Sequence, residues 1–235
     1  MAIAWSAGIM VYVSAGQYDS WWFGVAWAGL DFVATAIGST RDSAIQTVQR
    51  CVPEGVKTHL AEAPSSFVKD AVTMLGELER GNEAGKHFTL SAEHLSVPLR
   101  RILTAAAAIP IGYVTTYGNI AVASGSRARA VGRVMATNPL YPIVPCHRVV
   151  GAGMSLVGYG GKQDARALAT KLSRLQAETR GVAGEKDVDV PDGLLTVYPT
   201  EWVVNEARAQ EERRLRAVER EAERAATDRR QLRLF

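Results

Sequence analysis

A thiol, an imidazole and a guanidinium stand side by side at Cys146-His147-Arg148, inside the otherwise apolar run Pro142-Ile143-Val144-Pro145 and Val149-Val150. A free thiol with a pKa of about 8.5 is mostly protonated at neutral pH, so it becomes a nucleophile only beside a base or a positive charge. His147 can take the proton directly or through a water, and Arg148 favours the thiolate. The run reads as a strand, however, and neighbours on a strand point to opposite faces, so adjacency alone does not bring the imidazole to the sulfur. The plainer alternative is a buried cysteine acting as a small hydrophobe beside a core histidine with satisfied hydrogen bonds.

Other residues in the same region carry possible chemistry. Asn138-Pro139 reads as a turn, and Gly158-Tyr159-Gly160-Gly161 as a loop whose glycines let backbone approach a flat ligand and whose phenol can donate a proton. Ala128, Ala130, Gly132 and Ala136 give one helix a small-residue surface that can enter a groove, with Arg127 and Arg133 placed to meet phosphates. An alanine-rich helix packed in a core, with its arginines outside, accounts for the same alanines.

These side chains need elements to position them. Val11 to Val13 suggests a strand, and Trp21 to Gly38 reads as a hairpin around Ala28-Gly29-Leu30-Asp31. Ser39 or Thr40 can cap a helix from about Asp42 to Arg50, closed by Pro53; a second helix begins near Ser65 or Ser66 and ends before Gly81. After a short strand at His87 to Leu90, an alanine-rich helix spans Val97 to Ala108. Helices at about Tyr117 to Ser124 and from Ser126 to about Thr137 follow, with Gly125 as stop and Ser126 as N-cap, in the manner of a helix-turn-helix. From Gly181 the chain reads first as loop, then as a densely charged helix over Glu201 to Arg233, in which Leu215, Val218, Ala222 and Ala225 form a thin apolar stripe. A solvated helix docked on the body is the expectation there.

Composition bounds the class. A chain of 235 residues, 47% hydrophobic, can build a substantial core of one large or two small domains. Its two cysteines, Cys51 and Cys146, form no Cys-x-x-Cys pair, which argues against a thiolate zinc site or a disulfide framework and for a reducing compartment. The apolar stretch Met1 to Val13 lacks a cationic start, and no run approaches the ~20 apolar residues of a spanning helix. The net charge of +3 conceals a division: −3 over residues 1–92, +8 over 93–180 and −2 over 181–235. The positive charge lies where a polyanion would be met.

Ile109-Pro110-Ile111-Gly112-Tyr113-Val114-Thr115-Thr116-Tyr117-Gly118, Arg129-Ala130-Val131-Gly132, Asn138-Pro139, Pro145-Cys146-His147-Arg148-Val149 and Gly158-Tyr159-Gly160-Gly161 occur in that order. Together they resemble the O6-alkylguanine-DNA alkyltransferase family, densely from about Val97 to Glu178, weakly before and not at all after. The resemblance implies an α/β + α fold: a small ribonuclease H-like α/β domain (1–92), then a winged-helix or helix-turn-helix catalytic DNA-binding domain (93–180). A linker and charged C-terminal helix (181–235) would extend it. The implied activity is the irreversible transfer of an alkyl group from O6 of guanine in double-stranded DNA to Cys146, with no cofactor or metal, wherever in the cell DNA is found, by a monomer. The C-terminal helix could meet a partner protein or a second copy.

By the same resemblance, His147 and a downstream glutamate relay the thiol proton, Asn138 braces the active-site segment, and Tyr159 donates to the departing guanine oxygen. Pro145, Val149, Gly160 and Gly161 would wall the substrate pocket. Tyr117 would crowd the phosphate, Arg129 would fill the space left by the rotated base, and Arg127, Ala130, Gly132, Arg133 and Arg148 would complete the DNA surface. Counting directly from Tyr159 puts the relay glutamate at Ser173, which cannot serve; about five extra residues between Gly161 and Lys171 move it to Glu178, the alignment favoured here. Two other classes compete: a sensor that binds alkylated DNA without reacting, which the presence of Cys146 disfavours, and a thiol hydrolase, for which the basic helix has no purpose.

Overall fold

The computed structural model describes residues 9–61, 65–84, 88–91 and 93–232, with side chains up to residue 224. Met1 to Gly8, the strand start expected at His87, and the side chain of Ala225 lie outside the described residues.

The first part of the chain is a five-stranded sheet between two helices. Strands β1 (Met10–Tyr18), β2 (Trp21–Ala28) and β3 (Asp31–Gly38) form an antiparallel meander, helix α1 (Arg41–Cys51) follows, and β4 (Lys57–Leu60) adds parallel to β1. Helix α2 (Ser66–Glu79) then leads to β5 (Thr89–Leu90), parallel to β3, giving the order β4-β1-β2-β3-β5. Both faces are covered. Val11, Val13, Ala15 and Ala26 pack with Ala44, Ile45 and Val48 of α1, while Phe23, Val25 and Phe32 pack with Val68, Val72 and Leu75 of α2. Gly24 lets α1 come close, since a Cβ there would lie 2.4 Å from the Ala44 carbonyl oxygen. The cap of α1 is Thr40, in a reciprocal arrangement with Ser43, and that of α2 is Ser65.

The second part gathers α3 (Val97–Ala107), β6 (Tyr113–Thr116), α4 (Tyr117–Ala123) and α5 (Ala128–Ala136), then a 3-10 turn at Cys146–Arg148, β7 (Val149–Val150) and α6 (Ala165–Ala177). Gly125 closes α4 at φ +62, as expected, but the N-cap of α5 is Arg127, not Ser126: the Ser126 amide turns back to the Ala121 carbonyl and finishes the preceding helix.

The larger departure follows Gly181. The stretch read as loop is a hairpin, β8 (Lys186–Val190) and β9 (Gly193–Pro199), and β9 pairs antiparallel with β6 in the sheet β7-β6-β9-β8. Alternation of Asp187, Val188, Asp189 and Val190 was the strand signal that the acidic residues and Pro191 obscured. Leu195 and Val197 are fully buried. Helix α7 (Thr200–Leu232) docks only its first turns: Thr200 donates its amide to Gly112, Val203 is buried, and residues 210–224 are all exposed. Among the described residues no helix is long and apolar enough to cross a membrane.

The two parts are stitched at the loop that leads into the site. Thr35 of β3 donates its amide to the Pro139 carbonyl and its hydroxyl to the Tyr141 carbonyl, both at 2.9 Å.

Candidate active site

The loop from Asn138 to Pro145 is held from within. Asn138 accepts from the Leu140 amide at 3.0 Å and donates to the Val144 carbonyl at 2.7 Å, so one side chain fixes both ends of the turn. The same side chain acts to lower the pKa of the Cys146 thiol, partly offsetting its burial. Cys146 opens a 3-10 turn rather than lying on a strand. With three residues per turn, successive side chains diverge by roughly 120°, so Cys146 faces a cavity while its neighbours turn inward.

That cavity, of about 590 Å³, has Cys146 and Tyr117 in its wall, Arg129, Gly132 and Arg133 of α5 on one side, and Tyr159, Gly160 and Gly161 on the other. The run read as a loop whose glycines admit close approach is a tight turn: Tyr159 and Lys162 exchange backbone hydrogen bonds at 2.7 and 3.0 Å, across Gly160 and Gly161 at φ +55 and +75. Two successive positive φ values are what a turn of this kind requires.

Behind the thiol is a buried charge cluster. His147 Nε2 lies 2.9 Å from Glu178 Oε1, and the Glu178 carboxylate also takes Arg148 Nε at 2.7 Å and Arg148 Nη2 at 2.8 Å. The third Arg148 donor goes to the Ile109 carbonyl at 2.7 Å. Glu178 is held as the anion: burial works against its charge, but the hydrogen bonds from His147 and Arg148 outweigh that and lower its pKa to about 2. Burial lowers the pKa of His147, leaving a neutral imidazole at neutral pH, and raises that of the Cys146 thiol, against which Asn138, Lys171 and Arg174 act only in part. With Nε2–H committed to the carboxylate, Nδ1 is the acceptor of the ring, buried and without a protein partner among the described residues.

The structure therefore brings together Cys146, His147, Glu178, Asn138 and Tyr159, with Tyr117, Arg129, Gly132 and Arg133 on the same cavity. Ser173 is exposed, and Glu178 is the carboxylate hydrogen-bonded to His147. Arg127 is exposed and Ala130 half-buried on α5, neither on the cavity wall. Arg148, expected on the DNA surface, is buried with all three guanidinium nitrogens bonded to Glu178 and Ile109, so it has no face to offer a phosphate. Pro145 and Val149, expected in the pocket wall, are buried behind it.

Four residues escaped the sequence reading. Lys171 is fully buried and donates to the carbonyls of Val149 (2.6 Å), Val157 (3.2 Å) and Gly158 (3.3 Å), clamping the Tyr159 turn; desolvation brings its pKa down to about 8. Arg174, Glu79 and Tyr141 form a second cluster beside Tyr159. Helical spacing was the available signal. Ala167, Lys171 and Leu175 share the buried stripe of α6, which its C-cap Glu178 extends, and Glu79 continues the Val68, Val72, Leu75 stripe of α2.

The chain was compared with known proteins. Residues 99–180 match the family model described as 6-O-methylguanine DNA methyltransferase, DNA binding domain. The methylated-DNA–protein-cysteine methyltransferase of Mycobacterium leprae is 44% identical over 85 residues, 35% of this chain and 48% of that protein. The chain thus spans about half the length of the first curated relatives it matches. That of Archaeoglobus fulgidus is 31% identical over 134 residues, 52% of this chain and 86% of its own length. The crystal structure of O6-methylguanine-DNA methyltransferase from Pyrococcus kodakaraensis superposes with a TM-score of 0.50 at 25% identity, covering 74% of this chain and all of that one. A relative covered almost end to end, a family model over the segment that carries Cys146, His147 and Glu178, and a shared mixed α/β fold agree: this chain belongs to the methylated-DNA–protein-cysteine methyltransferase family.

Proposed function

We propose that the protein repairs double-stranded DNA by moving the alkyl group of an O6-alkylguanine onto Cys146, once per molecule. The observation that carries this reading is a buried thiol on a cavity flanked by an arginine-bearing helix, with a neutral imidazole and its carboxylate directly behind. A sulfur at the bottom of a cavity cannot reach a stacked base, so the nucleotide must rotate out. Arg129 would occupy the space it leaves, Tyr117 would press on the backbone, and Arg127 and Arg133, with Ala130 and Gly132 allowing close approach, would hold the groove.

In the reaction, His147 Nδ1 takes the thiol proton, directly or through a water, while Glu178 stabilises the imidazolium. The thiolate attacks the alkyl carbon in line; the S–C bond forms as the C–O bond breaks, and the electron pair leaves with guanine. Tyr159 gives its proton to the leaving guanine as charge develops, and the proton taken by His147 passes on to the Tyr159 phenolate, so guanine leaves neutral with a net gain of the one proton the thiol lost. A thioether is not hydrolysed under ordinary conditions, hence no turnover.

The chain divides, in this reading, into a ribonuclease H-like α/β unit (1–92), a winged-helix-type catalytic unit (93–180) and an extension (181–235). The protein would work as a monomer wherever DNA lies. Intact-mass analysis tests the function: incubation with O6-methylguanine duplex should add one alkyl mass per molecule, absent in Cys146→Ala. An unmodified wild type overturns it.

A further inference from the structure

Tyr159 does not stand alone on the cavity wall. Its hydroxyl accepts a hydrogen bond from Arg174 Nη1, and the guanidinium packs 5.1 Å from its ring centroid and 5.0 Å from that of Tyr141. The other two guanidinium nitrogens of Arg174, Nε (2.8 Å) and Nη2, donate to one oxygen of Glu79, whose second oxygen accepts from the Tyr141 hydroxyl. The side chains of Glu79 and Arg174 are 3% and 16% exposed. Glu79 lies at the end of α2, in the first part of the chain, whereas Arg174 and Tyr159 belong to the second. A buried ion pair of this sort adds little net stability, because desolvation offsets most of the attraction. What it does supply is a fixed geometry: a planar guanidinium bound along its Nε–Nη2 edge cannot swing, so Nη1 is held against the phenol.

Building on the reading that Tyr159 serves the departing guanine oxygen, we propose that Glu79 and Arg174 are positioning residues for that step. Glu79 locks Arg174, and Arg174 fixes the Tyr159 ring and places a positive charge beside its oxygen. Two consequences follow. An oxygen that already accepts from Arg174 has its own proton left to donate. The adjacent cation also stabilises the charge the phenol acquires as it gives up its proton, against the burial that raises its pKa. No proton passes to Arg174 or Glu79; both act through Tyr159, and the first part of the chain thereby reaches the alkyl-transfer step without touching DNA.

The test is a double-mutant cycle on single-turnover transfer from O6-methylguanine duplex, with maximal rate and apparent Kd measured separately. Arg174→Met keeps bulk and removes the charge and donors. We expect about a tenfold lower maximal rate, a small part of the 10²–10⁴ that general acids contribute, with Kd unchanged within about twofold. In a Tyr159→Phe background the same substitution should change the rate by less than about twofold, because the group it acts through is gone. Arg174→Lys should recover part of the loss, and Glu79→Gln should lower the rate in the same direction. Multiplicative losses in the double variant, or a change confined to Kd, would overturn the proposal. Absence of transfer in the wild type would instead overturn the parent reading, and this inference with it; matched thermal unfolding of each variant separates either result from misfolding.

Discussion

Cys146 and His147 divide the work of ionisation between them, and pH exposes the division. Burial pushes the thiol above its ordinary range and the imidazole below its own. If His147 is the base, single-turnover rates should be flat through neutral pH and fall only below about 6.5, the ordinary imidazole value; in His147→Ala the rate should instead climb with pH toward the thiol's own ionisation. A wild-type profile that simply rises through pH 9 would contradict the relay. Glu178 makes a different prediction, in stability. Its pKa is lowered on folding, so its contribution is complete above the unfolded value of about 4.3 and is lost as pH falls toward about 2. Glu178→Gln also leaves Arg148 as a buried unpaired cation, a change that costs roughly 3–5 kcal/mol in comparable cases. The gap in Tm between wild type and variant should be wide at pH 7 and narrow between pH 4 and 2. At this scale the sequence was informative about identity and less so about direction. Cys146, His147 and Glu178 were legible, yet nothing in the residue type told that Arg148 faces inward, because a guanidinium serves a carboxylate and a phosphate equally well.

Helix α5 and the turn that closes α2 show how elements set the site. Arg129 and Arg133 project from the exposed side of α5, the first onto the space above Cys146. Arg129→Ala should slow transfer from duplex DNA by an order of magnitude or more while leaving reaction with free O6-benzylguanine base unchanged, since only the duplex needs a stack repaired. Equal losses on both would deny it that role. Gly81, just past α2, has φ +78, and a Cβ there would lie 3.0 Å from Glu178 Cγ. Gly81→Ala combines left-handed strain with that contact and should cost about 1–2 kcal/mol, read as a lower Tm together with slower transfer as the carboxylate shifts. Periodicity sufficed for α1, α2, α4 and α5, with the expected caps at Thr40 and Ser65 and a shifted one at α5, where Arg127 replaces Ser126. It failed for the β8–β9 hairpin, whose acidic outward residues and short strands look like loop until β6 is there to pair with.

Across the whole molecule, residues 181–200 are structural and the outer part of α7 is not. Cutting the chain after Gly184 removes Leu195, Val197 and Val203 from the core and uncovers β6; at about 1.5–3 kcal/mol per buried aliphatic side chain, the product should be unstable or unfolded. Cutting after Gln210 removes residues of which 211–224 are all exposed, and should leave Tm unchanged. Comparable losses from the two cuts would place packing on the outer helix that its exposure denies. Beyond that point α7 is a rod: at 1.5 Å per residue, Arg224 stands roughly 30 Å from Val203. Its length makes it a molecular ruler. A fluorophore on an introduced cysteine near Arg224, in a Cys51→Ser background that leaves only the buried Cys146 thiol to compete, would stand on the exposed part of the helix. Energy transfer from there to a dye on the duplex would report docking by a reporter carried outside the folded core.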